Sequence, residues 1–122
     1  MQELRYERPT SIAETARQLA VDGARALAGG TDLIAQMREG RRQVACVVDL
    51  KHVPPLNSIE QRPDGSWRIG AAVSISALAR HQPFCTAHAA LLDAARLIGS
   101  LQIQSRATLA GNLCNAAPSA DA

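Results

Sequence analysis

The chain is 122 residues long, 47% hydrophobic and 20% charged, with a formal net charge of +2. A chain of this length holds one domain and buries roughly 65–70% of its unfolded surface. The charge is too small to mark a nucleic-acid binder, the aromatic residues Tyr6, Trp67 and Phe84 (2%) are too few for a base-stacking platform, and no apolar run is long enough to span a membrane.

In chain order, Ser11 is placed as the N-cap of a helix over Ile12 to Ala20, with Glu14 as its capping-box partner. Ile12, Ala16, Leu19 and Ala20 share one face of that helix, and Gly23 ends it. Arg25 to Ala28 reads as a short strand running into Gly29-Gly30. Asp32 to Glu39 reads as a second helix, stopped by Gly40. The basic residues from Arg38 to Arg42 read as a solvated helix end. Val44 to Asp49 is a continuous, β-branched apolar run, the pattern of a strand buried on both faces and paired in parallel.

After Pro54-Pro55, the segments Ser58 to Gln61 and Trp67 to Gly70 flank Pro63-Asp64-Gly65. Proline fixes one φ and glycine accepts a positive one, so this is a β-hairpin. Ser74 caps a short helix ending at Arg80, and a longer helix covers Ala87 to Ile98, with Leu91, Ala94, Ala95 and Ile98 on its apolar side. From Leu101 onward the residues are small, polar and rich in turn formers, and read as turns. Strand, helix and strand in the first half give βαβ connectivity and an α/β class. No linker or repeat divides the chain.

Cys46, Cys85 and Cys114 are odd in number, far apart and without a Cys-x-x-Cys pair. This argues against a disulfide framework or an internal zinc or iron–sulfur site and fits a reducing, cytoplasmic compartment. The opening residues, MQELRYER, lack the apolar core of a signal peptide. His52, His81 and His88 have no spacing that brings two to one metal and read as surface or helix-end residues. Asp49 and Asp93 read as strand-end and helix-surface charges, and Cys114 as a small buried filler. No paired carboxylates or Ser/His/Asp set is present, so no catalytic residue and no metal ligand is assigned.

Two glycine-centred segments remain. The first is Ala28-Gly29-Gly30-Thr31-Asp32. The second is Thr108-Leu109-Ala110-Gly111-Asn112, continuing through Asn115 and Ser119 to Asp121. Backbone N–H groups of a tight turn can converge on a pyrophosphate, glycine permits the close approach, and a helix start behind the turn adds donors. The Thr31 hydroxyl could donate to a phosphate oxygen, and the side-chain oxygens of Thr108, Asn112, Asn115, Ser119 and Asp121 could address the hydroxyls of a ribityl or ribose chain. Neither a Rossmann nor a Walker fingerprint occurs, so phosphate binding here needs another geometry. On local grounds alone, each segment also reads as a structural turn.

LAGGTDLI near the start and QIQSRATLAGNLCNAAPSAD near the end resemble the FAD-binding medium subunit of the molybdenum hydroxylases, the group of the xanthine dehydrogenase, carbon monoxide dehydrogenase and hydroxybenzoyl-CoA reductase types. The opening Tyr6-x-Arg8-Pro9-Thr10-Ser11, the strand before Asp49-Leu50, and Ile69-Gly70-Ala71-Ala72-Val73-Ser74 carry the same likeness, in order and over nearly the whole chain. The resemblance implies an α/β (overall α+β) fold: the N-terminal part of a two-lobed FAD-binding domain, a small parallel sheet with helices followed by the start of a second lobe. Residues 1–122 would form that domain, cut short at its C-terminal end.

The same resemblance implies that the backbone of Leu27, Ala28, Gly29, Gly30, Thr31 and Asp32 wraps the FAD pyrophosphate. Thr108, Leu109, Ala110, Gly111 and Asn112 would approach it from the other side, Ile98 would lie against the flavin or its adenosine tail, and Asp121 would contact the flavin end. The subunit would be part of an oxidoreductase. It would take electrons from an iron–sulfur small subunit, fed by the molybdopterin of a large subunit, and pass them to an acceptor, with the cofactor carrying the chemistry. The molybdopterin and [2Fe-2S] groups would sit on those partners, with no nucleic acid and no membrane span involved. The family's second segment has two adjacent glycines; here the first is Ala110, which would be strained by ~1–2 kcal/mol if that position needs a positive φ. A partner-dependent, non-catalytic fragment of such a subunit and an unrelated nucleotide-binding α/β module are the alternative readings.

Overall fold

The computed structural model describes residues 3–118. Three short parallel strands, β1 (Arg5–Glu7), β2 (Ala24–Leu27) and β3 (Cys46–Asp49), form a sheet in the order β1-β3-β2. Tyr6 lies opposite Val47, and Leu27 opposite Asp49. All four residues of β3 are buried, so the apolar run is central, flanked by parallel neighbours on both sides as its pattern requires. The βαβ connectivity is present, carried by α1 (Ile12–Leu19) between β1 and β2 and by α2 (Leu33–Arg38) between β2 and β3. Strand β1 is an element the sequence reading lacks: its three residues are polar or half-exposed and show no apolar alternation.

Helix α1 starts where Ser11 caps it, the Ser11 Oγ accepting from the Glu14 N–H at 3.2 Å. The Glu14 carboxylate accepts in turn from the Thr10 N–H at 2.9 Å, so the capping box closes one residue earlier than its standard form. The buried side of α1 differs from the expected face. Thr15 is buried and Leu19 packs on Ala24, Cys46 and Val48, whereas Ile12, Ala16 and Ala20 face solvent. Gly23 does not end α1, which stops at Leu19; it occupies a φ of +73° in the turn into β2. Gly40, at φ +71°, follows the end of α2 as read.

The second half begins with the hairpin β4 (Ile59–Gln61) and β5 (Trp67–Ile69). Its turn is fixed by Gly65 at φ +85° and by the Asp64 carboxylate accepting from the Ser66 N–H at 2.9 Å. Then come α3 (Ile75–Arg80), α4 (Gln82–Ala87), α5 (Ala89–Arg96), α6 (Leu101–Gln104) and α7 (Leu109–Asn115). Ser74 caps α3 through the Ala77 N–H at 3.1 Å. The helix expected over Ala87 to Ile98 is α5, and a break at His88 (φ −133°, ψ 50°) separates it from α4, an element the sequence reading lacks. The break resets the helical register, and Leu92 and Ala95 are the residues α5 buries.

The core of this half is Val73, Leu78, Phe84 and Leu92, with Trp67 edge-on to Phe84 at 5.4 Å between ring centroids. A smaller cluster of Ile75, Ala95 and Ala107 lies beside it. Histidines occupy helix ends: His81 closes α3 and caps α4 through the Phe84 N–H, and His88 joins α4 to α5. Among the described residues, no helix is long and apolar enough to cross a membrane.

Candidate functional site

The two glycine segments meet. Strand β2 ends at Leu27, and the chain then turns through Gly29 and Gly30 into α2. Gly30 has a φ of +78°, which only glycine adopts without strain. Gly29 lies against the backbone of the other segment: a Cβ there would overlap the Arg106 carbonyl, 2.6 Å from its carbon, and reach 3.0 Å from the Ala107 Cα. The backbone N–H groups of Gly29, Gly30, Thr31 and Asp32 have no acceptor among the described residues.

The opposite wall is a helix start, not the open turn the sequence reading placed from Leu101 onward. Ser100 caps α6 and Thr108 caps α7, each through a hydroxyl three residues before the N–H it accepts. The buried Thr108 takes the Gly111 N–H at 2.9 Å on its Oγ1, which is therefore a cap before it is anything else. Residues 107 and 108 are tied to the start of α3, the Ile75 N–H donating to the Ala107 carbonyl at 2.8 Å. The N–H group of Ala110 has no acceptor among the described residues. Ala110 sits inside the helix and has no positive φ, so its place beside Gly111 carries no strain of that kind.

Between the walls is a cleft of about 470 Å³, within the range of small-molecule sites. Leu27, Ala28, Gly29, Gly30, Thr31 and Asp32 line one side; Thr108, Ala110, Gly111 and Asn112 line the other. Ile98 joins Leu50, Ala71 and Ile103 in its apolar lining. Leu109 is the exception: its side chain packs into the two cores of the second half, leaving only its backbone near the site. Asp121 and Ser119 lie outside the described residues. Cys114 is exposed and lines the cleft, contrary to its reading as a buried filler.

Arg25 and Gln36 had not been singled out as site residues, and Arg42 had been read only as part of a solvated helix end. Arg25 and Arg42 line the cleft as exposed cations, with Asp32 as the acidic residue among its lining groups. Gln36 on α2 and Asn115 on α7 both line it and are joined by a hydrogen bond, Gln36 Nε2 donating to Asn115 Oδ1 at 2.9 Å.

Behind the first turn, Lys51 donates to the Ala28 carbonyl at 3.2 Å and pairs with the Asp49 carboxylate at 2.7 Å. Asp49 is more than a strand-end charge. It is buried, accepts the Tyr6 hydroxyl and takes the Lys51 N–H at 3.0 Å. Burial alone would raise its pKa, but the hydrogen bonds from Lys51 and Tyr6 prevail and hold the carboxyl below its ordinary value.

The site has backbone donors without acceptors among the described residues on two facing walls, a glycine contact that brings those walls together, an apolar lining and exposed cations. That set fits an anionic ligand that carries both phosphate and apolar groups. Among the described residues, no group of three or more His, Cys, Asp or Glu side chains is arranged to hold a metal ion.

Comparison with known proteins shows the family of the chain. Residues 2–122 match the family described as the FAD binding domain in molybdopterin dehydrogenase. The xanthine dehydrogenase FAD-binding subunit of Escherichia coli O157:H7 is 37% identical over 123 residues, covering 95% of this chain and 40% of that protein. The carbon monoxide dehydrogenase medium chain of Hydrogenophaga pseudoflava is 30% identical over 119 residues, covering 95% of this chain and 41% of that protein. The crystal structure of a Cu,Mo-CO dehydrogenase in its cyanide-inactivated form superposes with a TM-score of 0.90 at 28% identity, covering 99% of this chain and 43% of the matched one. The chain thus spans about 40% of the length of the curated relatives it matches.

Proposed function

The chain belongs to the family of FAD-binding domains in molybdopterin dehydrogenases, and we propose that its cleft holds the pyrophosphate and adjoining ribityl stretch of FAD. In this reading the N–H groups of Gly29 to Asp32 and of Ala110 bind the phosphate oxygens, and Gly29, which leaves no room for a Cβ against the Arg106 carbonyl, lets the two walls close on one cleft. Ile98, Ile103, Leu50 and Ala71 give the flavin or adenine an apolar surface. Bound FAD supplies the redox chemistry. This chain's own residues position it and shield it from water.

The relatives are named as the FAD-binding subunit or medium chain of dehydrogenases. By extension, this chain serves in the flavin subunit of a molybdenum hydroxylase. Its partners are a molybdopterin large subunit and a [2Fe-2S] small subunit, and electrons pass through the flavin to an acceptor. The observation that carries the reading is the backbone contact of Gly29 with Arg106 and Ala107, which sets the two glycine segments on one cleft. Titration of the purified chain with FAD, followed by flavin absorbance and fluorescence, tests it. Saturable binding that excess ATP or NAD does not displace is expected. No binding, or equal displacement by ATP and NAD, overturns it.

A further inference from the structure

The two walls of the cleft are joined by one side-chain pair from distant parts of the chain, Gln36 on α2 and Asn115 on α7, 79 residues apart in sequence. Both side chains are half-buried and both line the cleft. An asparagine amide has one acceptor atom and one donor atom. With Asn115 Oδ1 accepting from Gln36 Nε2 at 2.9 Å, the atom left to address a ligand is Nδ2, a donor. A phosphate or hydroxyl oxygen needs a donor, whereas a freely rotating amide would present either end.

We propose that Gln36 is a positioning residue: its amide fixes Asn115 so that Nδ2 donates to an oxygen in the phosphate–ribityl stretch of the bound dinucleotide. The inference rests on the reading of the cleft as an FAD site. A glutamine on α2 meets this need because its amide nitrogen donates to Asn115 Oδ1. A glutamate at that position would accept instead of donating and would reverse the Asn115 amide.

The test measures FAD affinity of the 122-residue chain and three variants by flavin fluorescence, with a thermal melt of each to show that it is folded. Gln36→Glu offers only acceptors at neutral pH, so Asn115 turns its Nδ2 away from the ligand and Kd rises about tenfold, the scale of one hydrogen bond to a charged group. Gln36→Met keeps the length and apolar stem but leaves Asn115 unoriented, so Kd rises less. Asn115→Asp keeps the bond from Gln36 but replaces the donor with an acceptor, and loses at least as much affinity as Gln36→Glu.

The side-chain amide protons of Asn115, assigned in a nitrogen-15 spectrum by their loss in Asn115→Asp, supply a readout that mere loosening of the walls would not move. FAD shifts them in the wild type; in Gln36→Glu they are displaced before ligand is added and do not respond to it. A folded Gln36→Glu variant with wild-type Kd and FAD-responsive Asn115 protons overturns the positioning role while wild-type binding still stands. Absence of FAD binding to the wild type in the same titration overturns the FAD reading and this role with it.

Discussion

Gly29 and Arg106 are in backbone contact across the cleft, so close that the smallest possible side chain on Gly29 would overlap the Arg106 carbonyl. The end of β2 and the approach to α7 are thereby locked together without any side chain between them. What limits position 29 is space, since its φ is not in the left-handed region. This separates it from Gly30, limited by its φ of +78° and by Leu27 and Ile34, and from Gly65, limited by φ alone.

Replacing Gly29 with alanine should therefore force the two walls apart. Backbone cannot rotate away as a side chain can, so a cost of about 1–3 kcal/mol in stability is expected, the range for overpacking, with loss of FAD affinity. Gly65→Ala is the control: nothing lies within 4 Å of a Cβ there, so only the strain of φ +85° is added, about 1 kcal/mol. Melting curves and FAD titrations of the two variants check this. An FAD affinity lowered equally by both would deny Gly29 its special place.

Thr108 should behave as a cap. Its Oγ1 takes the Gly111 N–H, and the residue is 4% exposed. Thr108→Val keeps the shape but removes the acceptor, and a loss of about 1 kcal/mol is expected from the cap; Thr108→Ser keeps the acceptor and should lose less. If Ser and Val variants melt together, the hydroxyl is not what holds the start of α7.

The parts of this fold that were legible in the sequence are those decided within a few residues. Ser11 with Glu14, Ser74 before its helix, the Asp64-Gly65 turn and the apolar β3 each carry their own instructions. Helix α6 is too short, at four residues, to show a period, and α7 was misread because Gly111, Asn112 and Asn115 have low helix propensity and tertiary packing overrides it: Leu109 is drawn into both cores of the second half. Ser100 and Thr108 were nevertheless available as cap signals. The glycine segments were visible as candidate ligand loops, yet their meeting was not, since the Gly29–Arg106 contact has no trace in either local pattern. The same holds for Gln36 with Asn115 and for Lys51 with Ala28, whose pairings exist only once the chain has folded.

Asp49 should make the fold sensitive to acid. Its folded-state pKa is lowered by the hydrogen bonds from Lys51 and Tyr6 in spite of burial. Such a group contributes its full stability above the unfolded pKa of about 3.9 and loses it as the pH falls through the lower folded value. The melting temperature should thus fall as the pH drops below about 4, and Asp49→Asn should flatten that fall while lowering the neutral-pH melt. Asp64 is also lowered, by Ser66, but it lies exposed in the hairpin turn, so Asp64→Asn should leave the acid limb nearly unchanged. Equal acid limbs for wild type and Asp49→Asn would show that the carboxylate network does not couple to folding.

The core of the second half should be separable from the site. Leu78 is fully buried among Val73, Phe84 and Leu92, on the side of α3 that packs on the hairpin and α4, and it is absent from the cleft lining. Leu78→Ala removes buried methyl groups that the surrounding helices cannot wholly refill, at a cost of about 2–5 kcal/mol. Ile75 anchors residue 107 through its backbone N–H, and that bond does not depend on the Leu78 side chain. FAD affinity measured well below the lowered melting point should therefore match the wild type. A matching loss of affinity and stability would mean that α3 transmits core packing to the cleft through the Ser74–Thr108 bridge, and that the two halves of the site are held less independently than the Gly29 contact implies.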